Sequence, residues 1–431
     1  MSEYTVGMIG VVILIFLLFS RMPIGFVLIL VGFLGFSLIG GLKSGLGLLM
    51  TVPYQTGSFY PFSVIPLFLF MGELAGASGQ SENLYRAIYK CIGPLRGGLA
   101  ISTVAACAAF GAVSGSSIAT AAIFGTVSLP EMRRYGYNLK LATGTVASGG
   151  TLAILIPPSL SFLLYGLLTG ESIGKLFVAG FIPGIILATL LSIYIYTRCR
   201  LTPTFGPPGP STSFKDKLIS VKNTWVTALL FLVVIGGIWL GFFTPNEAAA
   251  IGALGSFIHF LCSGRFSWSK TFSALSSAVK ASSMIFLIMI GATFFSYFLT
   301  VTKMPMDMTN SIVKLGLSPY IVLIALTIIY LFLGCILDSA GIIILTVPIV
   351  YPLIKTVGFD PIWFGVYFTV LIEIGLITPP VGLNVYVLAG VSNIPMETIF
   401  RGIFPFFFIF LFFLLLLIFF PNMALWLPST M

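Results

Sequence analysis

A polar tetrad, Ser114-Gly115-Ser116-Ser117, interrupts an apolar run that carries no charged residue between positions 98 and 129. Side-chain oxygens and free backbone carbonyls are the ligands that hard cations prefer. A helix that ends at such a tetrad offers carbonyls to a cation, and a helix that begins there offers amides to an anion. The tetrad therefore predicts a binding site for small ions within apolar surroundings.

Three further interruptions have the same character. Asp338 and Ser339 lie inside a second apolar run, 320–354, and Pro-Pro pairs at 157–158 and 379–380 interrupt two more. Proline lacks an amide hydrogen, so each pair breaks a helical hydrogen-bond ladder and frees carbonyl oxygens. Each polar tip is therefore expected to face one Pro-Pro break.

The composition identifies the surroundings as a membrane. Of the 431 residues, 58% are hydrophobic and 8% are charged, whereas about 25% of residues are charged in soluble domains. Apolar runs of about 20 residues recur along the chain, as spanning helices require. We therefore predict an all-α polytopic membrane protein that keeps its first helix. The net charge of +9 is attributed to topology and anionic lipid, not to nucleic acid.

An internal repeat organises these elements. At an offset of 222 residues, five prolines coincide with five others, against about 0.7 expected by chance from 25 prolines in 431 positions. The predicted units are a first repeat, 1–205, a solvated linker, 206–221, and a second repeat, 222–431. Helices are predicted at 4–20, 23–41, 60–79 and 174–198, and again at 224–242, 246–262, 279–299 and 396–420.

The remaining segments are predicted to be two re-entrant hairpins and two broken helices. The runs 98–130 and 320–354 are too long for one crossing and too short for two with a turn. The segments 140–168 and 362–391 contain the Pro-Pro pairs. With five crossings and one hairpin per half, the two repeats have inverted topology and both termini lie outside. Sixteen basic residues, Arg21 among them, then fall inside and five outside, in agreement with the positive-inside rule.

Inverted repeats with interrupted helices are typical of secondary transporters with a site near the midplane. The first predicted Na⁺ site comprises Ser114, Gly115, Ser117, Leu155 and Pro157. The second comprises Asp338, Ser339, Gly341, Thr378 and Pro379. No nucleotide-binding motif is present, so an ion gradient is expected to drive transport and no enzymatic activity is expected.

Alternatives remain at several of these positions. The serines could serve only close helix packing, and Asp338 could cap the second arm of its hairpin. Glu373 is ionisable at membrane depth and could bond free backbone groups or carry a proton. A channel, a structural protein and a proton-coupled carrier are the competing functions. Saturable uptake that follows a Na⁺ gradient would distinguish the predicted transporter from each of them.

Three segments carry a family resemblance: "GAVSGSSIATAAIFGTVSLPEMRRYGY", "ASGGTLAILIPPSLSFLLYG" and "EIGLITPPVGLNVYVLAG". They resemble the large membrane subunit of tripartite ATP-independent periplasmic (TRAP) transporters, and the similarity covers essentially the whole chain. The resemblance implies an elevator-type, Na⁺-driven importer of organic acids in the bacterial inner membrane. It also places the ion and substrate regions at 114–117, 157–161, 338–341 and 378–384.

The resemblance further implies two partners, a small four-helix membrane subunit and a periplasmic substrate-binding protein. Because the chain starts at the large subunit, the small one is expected to be a separate polypeptide. Sialic acid and C4-dicarboxylates are both common substrates of the family. The site is rich in hydroxyls and no Arg or Lys is placed at membrane depth, so the sequence favours sialic acid. The predicted substrate-binding residues are Ser116, Ser117, Ser159, Ser161, Asp338, Ser339 and Asn384.

Overall fold

The structure is a computed structural model that describes residues 2–20, 22–210 and 212–431, and Arg21 therefore lies outside it. All regular elements within these ranges are helices. The first half contains α1 (Glu3–Phe19), α2 (Ile24–Gly40), α3 (Leu42–Gly57), α4 (Val64–Ala77), α5 (Gln80–Ile92), α6 (Gly98–Ser114), α7 (Ser117–Arg134), α8 (Leu139–Leu155), α9 (Leu160–Thr169) and α10 (Ile173–Leu201).

The second half repeats this order. It contains α11 (Phe214–Lys222), α12 (Trp225–Phe231), a π-helical segment (Leu232–Gly236), α13 (Gly237–Trp239), α14 (Pro245–Cys262), α15 (Trp268–Val301), α16 (Met304–Lys314), α17 (Pro319–Gly334), α18 (Ser339–Thr356), α19 (Pro361–Leu376), α20 (Leu383–Ser392), α21 (Met396–Phe419) and α22 (Asn422–Leu425). The helices α14 and α17 to α21 begin 221 to 223 positions after α2 and α6 to α10.

The lengths of these helices fit a membrane protein. Within the described chain, six helical segments are long and apolar enough to cross a bilayer, and a bent pair in 214–239 raises the number to seven. Six shorter apolar helices have 10 to 17 residues. The sequence predicts ten crossings, and α1 and α2, with 17 residues each, lie at the lower limit of spanning lengths.

Both predicted hairpins have the expected two arms. α6 and α7 are separated only by Gly115 and Ser116, and α17 and α18 by 335–338. Each broken helix is likewise two helices, α8 with α9 and α19 with α20. Both Pro-Pro peptide bonds are cis.

Two features differ from the prediction. The short helices α3, α5 and α16 lie where no element is predicted, and α11 extends into the predicted linker. In addition, α15 runs unbroken over 34 residues where the first half has α3 and α4 separately. The first-half break precedes Pro61, and proline disfavours helical geometry at the residue before it. The matching second-half position is Ser283, so the helix continues.

The hairpins of the two halves pack against each other's broken helices. The second arm of the first hairpin, α7, lies against α20, and the second arm of the other hairpin, α18, lies against α9. Gly125 of α7 marks the first contact, because an added Cβ there would stand 2.7 Å from the Leu388 side chain. These contacts between the hairpin of one half and the broken helix of the other join the two halves into one packed body around the breaks.

A second body is formed mainly by α2 and α15, which pack along their length. An added Cβ at Gly32 would lie 2.6 Å from the backbone of Phe294 and Phe295. Contacts between Cβ and backbone this short do not occur without a shift, so only glycine allows the two helices to approach this closely. We call α1, α2 and α15 the scaffold helices.

Candidate ion and substrate site

The tip of the first hairpin is built by a left-handed glycine and a capping serine. α6 ends at Ser114, Gly115 adopts φ +60°, and Ser116 is the N-cap of α7, where its Oγ accepts a hydrogen bond from the Ala119 amide at 3.3 Å. Ser114 Oγ lies 3.1 Å from Thr120 Oγ1. The turn therefore leaves carbonyls at the end of α6 and amides at the start of α7, as ion binding requires.

This tip lies directly against the first Pro-Pro break. An added Cβ at Gly115 would stand 2.7 Å from the carbonyl oxygen of Pro158. A cavity of about 20 Å³ lies here, lined by Ser114, Gly115, Pro158 and Ser159 and closed by apolar side chains of α4 and its neighbours. A space of this size holds about one water molecule, which is also the scale of a dehydrated small cation.

The first break is fully enclosed. Residues 151–159 are buried, and Ser159 caps α9 by accepting a hydrogen bond from the Phe162 amide at 3.4 Å. Ser161 is also buried. The Leu155 carbonyl approaches Gly180 of α10. The structure therefore gathers Ser114, Gly115 and Ser159 around one cavity, and it directs Leu155 towards another helix.

The second tip has the same cap in a more open setting. Asp338 is the N-cap of α18, and its Oδ1 accepts a hydrogen bond from the Gly341 amide at 3.3 Å. Asp338 and Gly341 stand 222 positions after Ser116 and Ala119, so the two caps correspond. Both Asp338 and Ser339 are half-buried. The capping role considered for Asp338 is present in the structure.

The second break is exposed where the first is buried. Pro379 and Pro380 are exposed, and Thr378 Oγ1 donates to the Ile374 carbonyl at 2.6 Å. α17 and α19 cross just before the tip and the break, where an added Cβ at Gly334 would stand 2.6 Å from Gly375 Cα. The two halves thus contain the same pair of a hairpin tip and a broken helix, but the break is buried in the first half and exposed in the second.

A buried polar contact links the two halves beside the first tip. Asn384 Nδ2 donates a hydrogen bond to Ser117 Oγ at 2.6 Å, and both side chains are fully buried. The Ser117 hydroxyl also lies next to the carboxyl group of Glu373. Ser117 and Asn384 are 267 positions apart, so only the fold brings them together.

A cleft of about 680 Å³ leads to the first tip. It is lined on one side by Ser114 and Ser116 of the tip and by residues of α7, and on the other by Glu73 of α4 and Lys270 of α15. Sequence reasoning assigned neither Lys270 nor Glu73 to the site. No motif identifies either residue, because the cleft is formed by packing of separate helices.

A match to a known protein family establishes which family the chain belongs to. The family model for the DctM component of tripartite ATP-independent periplasmic transporters matches residues 11–423. The chain belongs to the DctM family. It is therefore a subunit of a TRAP transporter and not an enzyme, and a multi-pass protein of the bacterial inner membrane.

Individual relatives agree with this assignment. A C4-dicarboxylate TRAP transporter large permease protein from Pseudomonas aeruginosa is 36% identical, over 87% of this chain and 88% of the relative. A sialic acid TRAP transporter large permease protein from Vibrio cholerae is 30% identical, over 96% of each chain. The crystal structure of the YdaH transporter of Alcanivorax borkumensis has a TM-score of 0.66 at 14% identity, covering 90% of this DctM chain and 89% of its own. The last comparison supports the fold.

Proposed function

We propose that this DctM chain is the membrane-embedded subunit of a Na⁺-coupled importer of organic acids, and that it works by an elevator mechanism. The observation that carries the proposal is the contact between the tip at Gly115 and the carbonyl of Pro158, with a cavity of one-ion size beside it. Irregular backbone at membrane depth is tolerated only where protein covers it or a cavity solvates it. Its recurrence in two halves is typical of coupling-ion sites.

The moving body in this proposal consists of the hairpins and broken helices. α7 against α20 and α18 against α9 connect the two halves crosswise, so a displacement of one hairpin must carry the other. The scaffold helices α2 and α15 are held together through backbone contact at Gly32. Two tightly packed bodies with a cleft between them fit movement of one against the other.

The sites are proposed at the two tips. The first Na⁺ would be held by oxygens of Ser114, Gly115 and the 157–159 break, and the second by Asp338, Ser339 and Thr378 together with carbonyls of the exposed break. The cleft that ends at Ser116 is proposed as the inward path of the substrate. Lys270 in the cleft wall is the cationic side chain that a carboxylate substrate would meet along that path, which Glu73 and Glu82 also line.

Two partners belong to the proposal: a small membrane subunit and a periplasmic substrate-binding protein. The membrane topology, with both termini and the substrate entrance on the periplasmic side, is also part of it. Such an orientation places the 206–221 segment inside the cell, where most basic residues of the chain fall.

The substrate is proposed as an organic acid, with sialic acid and a C4-dicarboxylate as the two leading candidates. The hydroxyls of Ser116, Ser159 and Ser161 near the first tip suit a polyhydroxylated acid such as sialic acid. The names of the C4-dicarboxylate relatives, at 36% and 32% identity, favour the second candidate. Both acids share the carboxylate that the amide-rich helix starts would bind.

Uptake into liposomes tests the function. The chain, reconstituted with its small membrane subunit and with the binding protein outside, should accumulate labelled acid only when Na⁺ is higher outside. Sialic acid and succinate are supplied in parallel, each with a binding protein that recognises it, and the acid that accumulates identifies the substrate. Accumulation driven equally by a pH gradient without Na⁺ would refute Na⁺ coupling.

A further inference from the structure

Glu373 is a buried carboxylate with no ion-pair partner among the described residues. It lies in the last turn of α19 with 1% of its surface exposed. Neither carboxylate oxygen accepts a hydrogen bond from any residue that the structure describes. The ion pairs within the described ranges use Glu3, Glu82 and Glu397 instead. A charge buried in this way is retained only when a proton, a cation or a metal pairs with it.

The neighbours of Glu373 have oxygens to spare. Asn384 is fully buried, its amide nitrogen is used by Ser117, and its Oδ1 has no partner among the described residues. Thr369, one turn earlier on α19, also has an unpartnered hydroxyl oxygen. Ser117 lies next to the Glu373 carboxyl and receives the Asn384 amide. Acceptor oxygens therefore outnumber the donors that this cluster offers.

The cluster has no copy in the other half of the protein. At the 222-residue offset between α8 and α19, Glu373 corresponds to Thr151, and at the 223-residue offset between α9 and α20, Asn384 corresponds to Ser161. Thr151 bonds the Ser148 carbonyl on its own helix at 2.6 Å. The fold of a half therefore does not require a carboxylate or an amide at these positions.

We propose that Glu373, Asn384 and Ser117 bind a Na⁺ ion at a site distinct from the two Na⁺ sites proposed at the hairpin tips. One proton on Glu373 would satisfy one acceptor, whereas a cation takes several oxygen ligands at once. The site lies where α7 of the first half begins against α19 and α20 of the second, so a bound cation would also join the two halves. Ser117 is thereby assigned to this site, and the first tip retains Ser114 and Gly115.

This inference rests on the proposed Na⁺-coupled function, and its first test needs no transport. Thermal unfolding of the purified protein in detergent is followed in NaCl and in choline chloride at equal ionic strength. Na⁺ should raise the unfolding temperature of the wild type, because a ligand that binds only the folded state stabilises it. Glu373→Gln keeps the shape and removes the charge. It should weaken the apparent Na⁺ affinity about tenfold or more, since losing even an outer partner of a metal ligand costs about 10–100-fold.

A matched carboxylate serves as the control. Glu171 is half-buried and already accepts a hydrogen bond from Tyr351, so Glu171→Gln should leave the Na⁺ response at its wild-type value. Equal Na⁺ responses of Glu373→Gln and wild type would overturn the proposal. If Glu373→Gln does not fold, Asn384→Leu, which retains the carboxylate, is titrated in the same way, and an unchanged response to Na⁺ overturns the proposal equally.

Uptake measurements separate this site from the general function. In liposomes, Glu373→Gln should lower the number of Na⁺ ions coupled to each substrate by one. If the wild type and Glu373→Gln both show Na⁺-driven uptake with the same stoichiometry and affinity, this site is wrong and the proposed function stands. If the variant loses only a response to pH, the group on Glu373 is a proton and the Na⁺ site is refuted.

Discussion

Replacement of Gly115 by alanine tests the first tip directly. The residue has φ +60°, and an L-residue in the left-handed region costs about 1–2 kcal/mol. The added Cβ would also stand 2.7 Å from the Pro158 carbonyl oxygen, which is nearer than Cβ atoms approach, so the carbonyl must move by a few tenths of an ångström. A displaced carbonyl is a poorer cation ligand. We expect Gly115→Ala to lose about 1.4 kcal/mol of Na⁺ binding free energy, which corresponds to a tenfold weaker affinity.

Gly136 provides the control for backbone strain. It has φ +73°, and nothing lies within 4 Å of the Cβ that alanine would add. Gly136→Ala should therefore destabilise the fold by a similar strain of about 1–2 kcal/mol and leave the Na⁺ dependence of uptake unchanged. Both variants are compared by thermal unfolding and by uptake at graded Na⁺ concentrations. If Gly115→Ala has the Na⁺ affinity of Gly136→Ala, the contact with Pro158 has no part in ion binding.

Three further predictions follow from the caps, the inter-half contact and the topology. Asp338→Asn should preserve thermal stability, because the asparagine oxygen still accepts a hydrogen bond from the Gly341 amide, whereas Asp338→Ala should lose about 1 kcal/mol of stability. Reduced Na⁺ affinity in both variants would assign the charge of Asp338 to ion binding. Wild-type Na⁺ affinity in both would limit Asp338 to capping. Asn384→Ala should destabilise by about 1–3 kcal/mol, because the buried Ser117 hydroxyl loses its 2.6 Å partner; an unchanged unfolding temperature would contradict this. For the topology, Ser213, which is exposed, is changed to cysteine in a chain with Cys91 and Cys262 replaced by alanine. The new cysteine should react with an impermeant thiol reagent only after the membrane is opened. Labelling in sealed cells would reverse the proposed topology.

The hairpins and the breaks could be predicted because their signals are local. A small polar tetrad in an uncharged apolar run fixes a tip at Gly115, and the Pro-Pro pair at 157–158 fixes a break. The 222-residue offset then transfers both assignments to the second half, where α18 and α19 begin 222 positions after α7 and α8. Proline positions carry this information because the residue restricts the backbone directly.

Other parts could not be predicted because they depend on packing between distant segments. The helices α3 and α5 are too short or too polar to produce a clear apolar run. The contact of Ser117 with Asn384 spans 267 positions and has no signature in either segment. The sequence also predicts equivalent ion sites at the two tips and breaks, whereas in the structure residues 151–159 are buried and Pro379 and Pro380 are exposed.

On the proposed elevator mechanism, the packing around the first tip defines the helix along which the moving body slides. The Cβ that alanine would add at Gly72 of α4 would stand 3.1 Å from Ser114 Cα and from its carbonyl oxygen, so α4 touches the first tip at its closest point. Gly76, one turn later, lines the cleft that leads to the tip. At Gly72 and Gly76 the helix presents no side chain to the hairpin, whereas Phe68 and Leu69 of the same helix line the cavity at the tip. On the proposed mechanism the first tip moves along α4. Larger residues at Gly72 would then hold the hairpin in one position and block transport. Because the added side chain would press on Ser114, they should also weaken Na⁺ binding at the first tip and leave the second tip unchanged.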